Sequence, residues 1–482
     1  MTSLREQTVS GTFWSAVDAF LGQGITFIVG IVLARLLSPD EYGLIGILSI
    51  FIVVFNSIVD GGLSNALIRK KEITTADCNT LFYTNLLISL LLSSLLFFSA
   101  PIIARFFDES TLILLSEAMS SIIVINALSI VQNVILTKKI DFKTKAKASL
   151  FSSIISGFIG ITMAYLDLGV WSLVGQQISR QLLNTILLWF LNRWTPSFIF
   201  SVTSFKEMFT FGWKIMTTTV ISQTWNNLSQ VVIGKCYNAF ELGQYTRAQQ
   251  FSSIFSVNLT TIIQRVSYPA LSQIQDEDLR LKEAYRKVVK CSLFVTFLSM
   301  FSLAAIAKPL IFALIGTQWE PCIEYLRIIC IFMALYPLHA INLNMLQIKG
   351  RSDLFLKLEI IKKIIAIIPL LFGLFISIKT MLFATIFTEI IAYLLNAGCS
   401  GPLINYPIRE QLKDIFPSIA SSTIIAVSLF FVSTININYW ILLFILFIVW
   451  MVMSHFIFRI FKIKEYQEVK NIIKTFVNKI SQ

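Results

Sequence analysis

An arginine occupies the middle of one of the apolar segments of this sequence. Arg180 lies between WSLVGQQIS and QLLNTILLWF, and Gln176, Gln177 and Asn184 would share one face of a helix with it. A charged side chain is costly in apolar surroundings, so it normally faces a cavity or a partner. A guanidinium there would suit a diphosphate or an acidic sugar, through paired charge-assisted hydrogen bonds. The alternative interpretation is a structural ion pair with an acid from the same apolar region.

A second polar feature is a stripe of amides within SQTWNNLSQ, at residues 222–230. The amides recur at helical spacing: Gln223, Asn226, Asn227 and Gln230. Sugars require amide partners and an aromatic face such as Trp225, so we expect the stripe to line a cavity. Hydrogen bonding between helices is the alternative, because amides also hold membrane helices together.

Two further arginines lie inside apolar segments. Arg247 falls about two turns into its segment and is a cavity candidate. Arg327 follows Glu324 by three residues, so a local ion pair on one helix competes with a role in a cavity. We include both arginines among the candidate substrate-binding residues.

Three acids also lie inside apolar segments: Asp18, Asp60 and Glu389. In a transporter such acids could bind H⁺ or Na⁺ and couple an ion gradient to movement. Asp18 or Glu389 could instead pair with Arg180, and Asp60 precedes two glycines, where it could simply end a helix. No other cofactor and no metal site is predicted, because the six cysteines are scattered without a CxxC pair and the chain has two histidines.

The chain that carries these residues is unusually apolar. Its 482 residues are 56% hydrophobic and 14% charged, with a mean hydropathy of +0.75, whereas soluble domains carry about 25% charged residues. Apolar runs of about 20 residues recur, long enough to cross a bilayer as helices. The sequence therefore predicts an all-α polytopic membrane protein. About fourteen transmembrane helices are expected, at 12–34, 43–66, 79–103, 112–136, 148–166, 170–191, 211–234, 241–266, 289–312, 323–346, 359–377, 380–398, 416–434 and 439–458.

Lys and Arg residues are concentrated in alternate connectors. RKKE at 69–72, TKKIDFKTKAK at 137–147 and KGRSDLFLK at 349–357 follow even-numbered spans, whereas the short connectors SPDEY, DES, DLG and NIN follow odd-numbered spans. Cytoplasmic loops carry the excess of Lys and Arg, so both termini are predicted to be cytoplasmic. The net charge of +12 expresses this topology and does not indicate nucleic-acid binding.

One charged junction occurs twice. LARLLSPDEYG at 33–43 and IGKCYNAFELG at 233–243 align at an offset of 200 residues. The matched pairs are Arg35 with Lys235, Glu41 with Glu241, and Gly43 with Gly243. An even number of spans separates the copies, so both face the same side, as in parallel repeats. The junctions are interpreted as helix punctuation, and Arg35 and Lys235 in addition as the rim of a central cleft.

The repeat predicts two parallel six-helix lobes. We place the N-lobe at 1–195, a cytoplasmic linker at 196–210 and the C-lobe at 211–400, with two more helices within 401–458. The tail, 459–482, is predicted to be a basic amphipathic helix on an anionic membrane surface, with a loosely ordered tail as the alternative.

Six stretches carry a resemblance to a known family: ARLLSPDEYGLIGI (34–47), DGGLSNALIRKKE (60–72), ELGQYTRAQQ (241–250), VSYPALSQIQDED (266–278), GTQWEPCIEYLRI (316–328) and MLQIKGRSDL (345–354). They resemble the polysaccharide repeat-unit flippases of the Wzx type. This family belongs to the multidrug/oligosaccharidyl-lipid/polysaccharide exporter superfamily. Within the family, the stretches are most similar to the branch associated with colanic and teichuronic acid export.

The resemblance implies a two-lobe transporter, not an enzyme, in the bacterial inner membrane. Its substrate would be an undecaprenyl-diphosphate-linked oligosaccharide, moved by alternating access for the synthesis of O-antigen, capsule or exopolysaccharide. Membrane lipids and a polysaccharide polymerase or chain-length protein are the implied partners. Two alternatives stay open: a drug or cation antiporter of the same superfamily, and a membrane-embedded enzyme of polysaccharide assembly. The enzyme should carry a long extramembrane loop with a catalytic acid or base, and the longest connectors have only about 20 residues.

Overall fold

The computed structural model describes residue 14, residues 17–461 and residues 465–467, without the side chain of residue 19. Every regular element in these ranges is a helix, which confirms the predicted all-α class. The amphipathic helix predicted for 459–482 lies mostly outside the described residues.

The chain divides into two compact units, Met1–Gly243 and Gln244–Gln482. In the first unit, a short π-helical turn, Asp18–Gly22, precedes the α-helices. These are α1 Gln23–Leu36, α2 Pro39–Asp60, α3 Leu63–Arg69, α4 Thr75–Phe107, α5 Leu112–Lys138, α6 Phe142–Tyr165, α7 Trp171–Asn192 and α8 Val202–Cys236. Helix α9, Ala239–Ser272, begins in the first unit and ends in the second. The lobe and linker boundaries expected from the sequence stay predictions.

The second unit continues with nine more α-helices in its described part. They are α10 Asp278–Ala305, α11 Ala307–Leu314, α12 Glu320–Met333, α13 Tyr336–Ile348, α14 Ser352–Ile365, α15 Ile367–Phe375, α16 Ile378–Ser400, α17 Ile408–Ser433 and α18 Tyr439–Ile460. Two short 3₁₀ helices lie before α12 and after α16, at Thr317–Trp319 and Gly401–Ile404.

Nine helical segments of the described chain are long and apolar enough to cross a membrane. They are Pro39–Arg69, Thr75–Phe107, Leu112–Lys138, Phe142–Tyr165, Asp278–Ala305, Thr317–Ile348, Ile378–Ile404, Ile408–Ser433 and Tyr439–Ile460. Each coincides with a predicted span, so the multi-pass membrane class is confirmed. The number of fourteen stays a prediction, because the other five predicted spans are shorter, broken or more polar.

The five remaining predicted spans are also mainly helical in their described residues. The first overlaps the shorter apolar segment Phe20–Leu36. Helices α7, α8 and α9 are 22, 35 and 34 residues long, but they carry the polar residues of the predicted site. The span predicted at 359–377 is divided between α14 and α15 shortly before Pro369, whose ring and missing N–H interrupt a helix. Pro337 likewise follows the break between α12 and α13.

Side-chain hydrogen bonds join the helices of the first unit. Apolar packing alone would do little to determine which helix packs against which. Helix α4 packs along α5, α6 packs along α7, and α5 also packs on α7. From α7, Thr185 Oγ1 donates to the carbonyl of Ile125 at 3.1 Å, and Trp189 Nε1 donates to the carbonyl of Leu128 at 2.9 Å. Such bonds hold helices together in lipid, where no hydrophobic driving force exists between them.

Helices α2 and α8 approach closely at one end through glycines. A Cβ atom added to Gly62 would lie 2.5 Å from the carbonyl oxygen of Gly212, so the contact admits no side chain. At the same end, Lys70 Nζ lies 3.0 Å from Asp77 Oδ1 and 3.2 Å from Glu207 Oε2. The hydrogen bond to Asp77 raises the pKa of Lys70, so the ammonium stays charged and ties α4 and α8 together.

The two copies of the repeated junction touch each other at the other end of these helices. A Cβ atom on Gly43 would lie 1.7 Å from the carbonyl oxygen of Ala239, and one on Gly243 would lie 1.9 Å from the carbonyl oxygen of Pro39. At the offset of 200, Gly43 corresponds to Gly243 and Pro39 to Ala239. The contact is therefore reciprocal, and glycine is required on both sides because backbone meets backbone.

The acids of the junctions begin helices, as the sequence predicts. Ser38 caps α2 in a capping box, in which the Ser38 N–H donates to Glu41 Oε2 at 2.6 Å. In the second copy, the N–H of Glu241 donates to Asn238 Oδ1 at 2.8 Å. The equivalent residues of the repeat thus cap equivalent helices, which confirms the interpretation as punctuation.

The second unit is held by an apolar cluster and by ion pairs. Helix α10 packs along α17, and α16 packs on α13 and α15. Phe294 and Leu442 belong to a buried cluster that joins α10, α17 and α18. Arg286 of α10 donates two hydrogen bonds to Asp414 of α17, and the Tyr406 hydroxyl donates to the same carboxylate at 2.8 Å. These paired bonds fix the long α10 to the helix that follows Gly401–Ile404.

We expect Gly43→Ala to destabilise the protein, because the added methyl group must displace the Ala239 carbonyl. Overpacking of this kind costs about 1–3 kcal/mol. The measurement is the melting temperature of the purified protein in detergent. Gly24→Ala is the matched control, since Gly24 also lies in a helix but has nothing within 4 Å of an added Cβ. A melting temperature of Gly43→Ala at or above that of Gly24→Ala would contradict the contact.

Candidate functional site

Helix α7 carries polar side chains on two faces. One face bonds to α5, and the other carries the half-buried Gln176, Arg180 and Asn184. Asp18, from the π-helical turn before α1, lies near enough to attract the Arg180 guanidinium electrostatically. This attraction favours the structural pair that the sequence left as an alternative to substrate contact, and both roles of Arg180 stay predictions.

A second cation is attracted to the same acid. Lys145 of α6 is drawn electrostatically to Asp18 and donates a hydrogen bond to Thr137 Oγ1 at 3.0 Å. The Oδ1 atom of Asp18 is buried and, among the described residues, accepts no hydrogen bond. Two cations thus surround one acid, so the group carries net positive charge. An anionic ligand would reduce this excess, whereas a purely structural pair would leave it in place.

The amide stripe lies in the middle of α8. Gln223 and Asn227 are half-buried and Asn226 is exposed, and the Asn227 side chain donates to the carbonyl of Gln223 at 2.7 Å. The stripe falls about halfway between Gly212, where α8 contacts α2, and Lys235, near the helix end. Amides at this depth of a long helix suit cavity lining, and this role stays a prediction.

The two arginines of the second unit lie against aromatic rings. Arg247 is only 8% exposed, its guanidinium carbon is 5.9 Å from the centroid of Trp319, and it donates to Gln250 Oε1 at 2.5 Å. Arg327 lies 5.2 Å from the centroid of Phe430. Cation–π contacts stabilise both side chains where they are. Arg247 would therefore have to leave this buried position to contact a substrate.

Two charged residues singled out in the sequence, Glu324 and Lys235, have ion-pair partners that the sequence did not reveal. Glu324 lies 2.6 Å from Lys379, although it also attracts Arg327, its predicted neighbour on the helix. Lys235 lies 2.8 Å from Asp108 at the end of α4. Lys235 and Arg35 are both exposed, as residues at a rim must be. Their position around a cleft stays a prediction.

Asp60 ends a helix, as its sequence context suggests. It is the last residue of α2, and the next two residues, Gly61 and Gly62, have φ angles of 56° and 66°. Only glycine adopts this left-handed region at little cost, so the chain breaks here between α2 and α3. The predicted break is confirmed, while a role of Asp60 in ion coupling stays a prediction.

Glu389 lies beside a histidine that the sequence analysis did not relate to it. The His339 Nε2 atom of α13 lies 3.0 Å from Glu389 Oε2 of α16, and its Nδ1 atom lies 3.1 Å from the Asn396 amide nitrogen. No spacing rule joins residues that are so distant in sequence. The signal that could have indicated this pair is the presence of a histidine inside an apolar span. Within the described residues, no group of three or more His, Cys, Asp or Glu side chains could hold a metal ion.

The chain matches known proteins over most of its length. A family model described as "Polysaccharide biosynthesis protein" matches residues 32–324. The chain belongs to this family. The teichuronic acid biosynthesis protein TuaB of Bacillus subtilis (strain 168) is 26% identical over 73% of this chain and 74% of TuaB. The lipopolysaccharide biosynthesis protein WzxC of Escherichia coli (strain K12) is 24% identical over 77% of this chain and 76% of WzxC. The resemblance found in the sequence is confirmed.

A solved structure shows that this member of the polysaccharide biosynthesis family shares its fold with a transporter. The lipid II flippase MurJ, in an inward closed conformation, matches with a TM-score of 0.71 at 17% identity. The match covers 94% of this chain and 99% of the MurJ chain. At this identity the likeness defines the fold, and the substrate must be argued from other features.

We expect Arg180→Ala to reduce export by about tenfold or more, since a hydrogen bond to a charged group contributes about 1.5–3 kcal/mol. Export is measured as surface polysaccharide per unit of membrane-inserted protein. Arg280→Ala is the matched control, because Arg280 pairs with Glu277 where both side chains are more than half exposed. Wild-type export by Arg180→Ala at a normal protein level would rule out the anion site.

Proposed function

We propose that this protein flips undecaprenyl-diphosphate-linked oligosaccharide repeat units across the bacterial cytoplasmic membrane by alternating access. The observation that carries the proposal is the family match over residues 32–324. TuaB and WzxC are named for the synthesis of teichuronic acid and lipopolysaccharide, and MurJ, which has the same fold, is named a lipid II flippase. One step combines polysaccharide synthesis with lipid flipping: the transfer of a lipid-linked glycan from one leaflet of the membrane to the other. The protein acts in this step as a transporter, not as an enzyme.

The polar helices of the first unit supply groups that such a substrate needs. Arg180 and Lys145 surround Asp18 with excess positive charge, which supports binding of a diphosphate. The amides of α8, beginning at Gln223, offer donors and acceptors for sugar hydroxyls. In an otherwise apolar chain, these groups are costly unless they serve a hydrated substrate.

The topology completes the proposal. The basic connectors at 69–72, 137–147 and 349–357 support a cytoplasmic location of both termini in the bacterial inner membrane. A glycan made by cytoplasmic enzymes would then enter from the side of these connectors. A polysaccharide polymerase or chain-length protein would receive it on the opposite side.

The His339–Glu389 pair supports coupling to a proton gradient. The 3.0 Å between His339 Nε2 of α13 and Glu389 Oε2 of α16 brings two ionisable side chains together across two helices. Ionisable side chains inside membrane spans are typical of proton relays, so this pair is the first candidate for coupling a proton gradient to movement of the helices. Asp18 and Asp60 are the other coupling candidates.

The first prediction of the proposal concerns the lipid-linked glycans of a strain that lacks the gene. Such a strain should accumulate one complete repeat unit on polyprenyl diphosphate, because the block lies after assembly. The measurement is mass spectrometry of the lipid extract, with and without the gene restored.

The glycan that accumulates separates the alternatives. A truncated glycan would indicate an enzyme of assembly, and an unchanged pool would indicate a drug or cation antiporter. Restoration with a non-transporting variant at a normal level controls for indirect effects on synthesis.

The second prediction concerns Glu389→Gln. The amide keeps the size of the side chain and removes its negative charge, so flipping should continue at most slowly and should no longer respond to the proton gradient. Transport in inverted membrane vesicles, with and without an uncoupler, is the measurement. Glu277→Gln serves as the matched control, since Glu277 is exposed and pairs with Arg280. An unchanged response to the uncoupler in Glu389→Gln would remove Glu389 from the coupling mechanism.

A further inference from the structure

A large apolar cavity lies among four helices of the first unit. Its volume is about 600 Å³, within the range of pockets that bind organic ligands. Its lining comes from the end of α2 and the start of α3, from α4 and from α8, and includes Ile58, Leu63, Leu87, Phe205 and Phe209. We call it the α2–α4–α8 pocket. It is separate in sequence from Arg180, Lys145 and the amides of α8.

The pocket suits hydrocarbon and not water. Of its lining residues, only Tyr83 and Thr84 have polar side-chain atoms. Water enters a cavity only when several polar partners are available, so an apolar cavity at membrane depth fills with lipid chains. Leu87 is 61% exposed, so the pocket is open to the surrounding lipid.

The shape of the pocket suits a single chain. The lining residues of α4 extend from Tyr83 to Leu90, which corresponds to about 10 Å along the helix axis. The lining residues of α8 begin at Phe205, within its first turn, and continue to Met216. The pocket therefore runs along two helices, from the first turn of α8 and from about two turns into α4.

Cations lie at the cytoplasmic end of the same helices. Arg69 ends α3 and places its guanidinium 4.6 Å from the centroid of Phe211 on α8. Lys206 adjoins Phe205 in the first turn of α8, and both cations are exposed. Lys70 already bonds to two carboxylates, whereas exposed Arg69 and Lys206 can attract phosphate groups.

We propose that the α2–α4–α8 pocket holds the polyprenyl chain of the lipid-linked substrate as the substrate enters, with the diphosphate near Arg69 and Lys206 before it reaches Arg180. The number of phosphate groups and the number of hydrocarbon chains favour a polyprenyl diphosphate over a phospholipid as the occupant. A polyprenyl diphosphate has two phosphate groups on one chain, which matches two cations beside one apolar pocket. A phospholipid has one phosphate on two chains. The inference rests on the proposed function and adds to it a lipid-binding site in the cytoplasmic leaflet.

The test is photocrosslinking in native membranes. A benzophenone amino acid replaces Leu87 in the pocket or, as the matched control, Phe151 on α6. The two native side chains are 61% and 60% exposed, and each lies about three turns or less from the cytoplasmic start of its helix. We expect mass spectrometry to find a polyprenyl-diphosphate glycan on the Leu87 probe, at several times its yield on the Phe151 probe. Equal yields at both positions, or phospholipid adducts alone at Leu87, would overturn the proposal.

A second variant tests the cations and keeps the two proposals distinguishable. Arg69→Gln with Lys206→Gln should lower the polyprenyl adduct at Leu87 by severalfold, while phospholipid adducts at Phe151 stay constant. An unchanged polyprenyl yield would exclude these cations as the diphosphate partners. If the deletion strain accumulates the complete lipid-linked glycan but the Leu87 probe does not capture it, only the pocket is wrong. If no such glycan accumulates, the proposed function itself fails.

Discussion

Backbone contact at the repeated junction is the constraint on which the rest of the first unit depends. The carbonyl oxygens of Pro39 and Ala239 occupy the space that side chains at Gly243 and Gly43 would need. Together with the approach of Gly62 to Gly212 on α8, this contact between α2 and the start of α9 fixes the chain on both sides of the amide stripe. The polar stripe in the middle of α8 therefore lies between two fixed contacts.

Three long helices are more polar than the nine helical segments that are apolar enough to cross a membrane. Helices α7, α8 and α9 carry Arg180, the amide stripe and Arg247, and each is long enough to cross a bilayer. A chain that only needed to be anchored would gain stability from apolar residues at these positions. The polarity of these helices is what the proposed substrate would require.

Much of the fold could be predicted from the sequence, because local rules determine it. Apolar runs indicate the helices, the two glycines after Asp60 indicate a helix end, and the junction with Glu41 indicates a helix start. The partners of the charged residues could not be predicted in the same way. The approach of His339 to Glu389 depends on how α13 packs on α16, and no periodicity within either helix encodes that packing. Arg180 is an intermediate case. The sequence indicated Asp18 as one possible partner of Arg180, but only the fold shows that Lys145 is attracted to the same acid.

The reciprocity of the junction contact has a consequence for how this sequence can evolve. Gly43 and Gly243 lie on opposite sides of one contact, and a Cβ atom on Gly243 would also lie 3.2 Å from the backbone nitrogen of Gly43. Residues that share a contact do not contribute independently to stability. Once a side chain at one glycine has forced the backbones apart, a side chain at the other meets less resistance. Substitutions at these two positions should therefore show epistasis, and sequence drift at one copy of the junction should relax selection on the other.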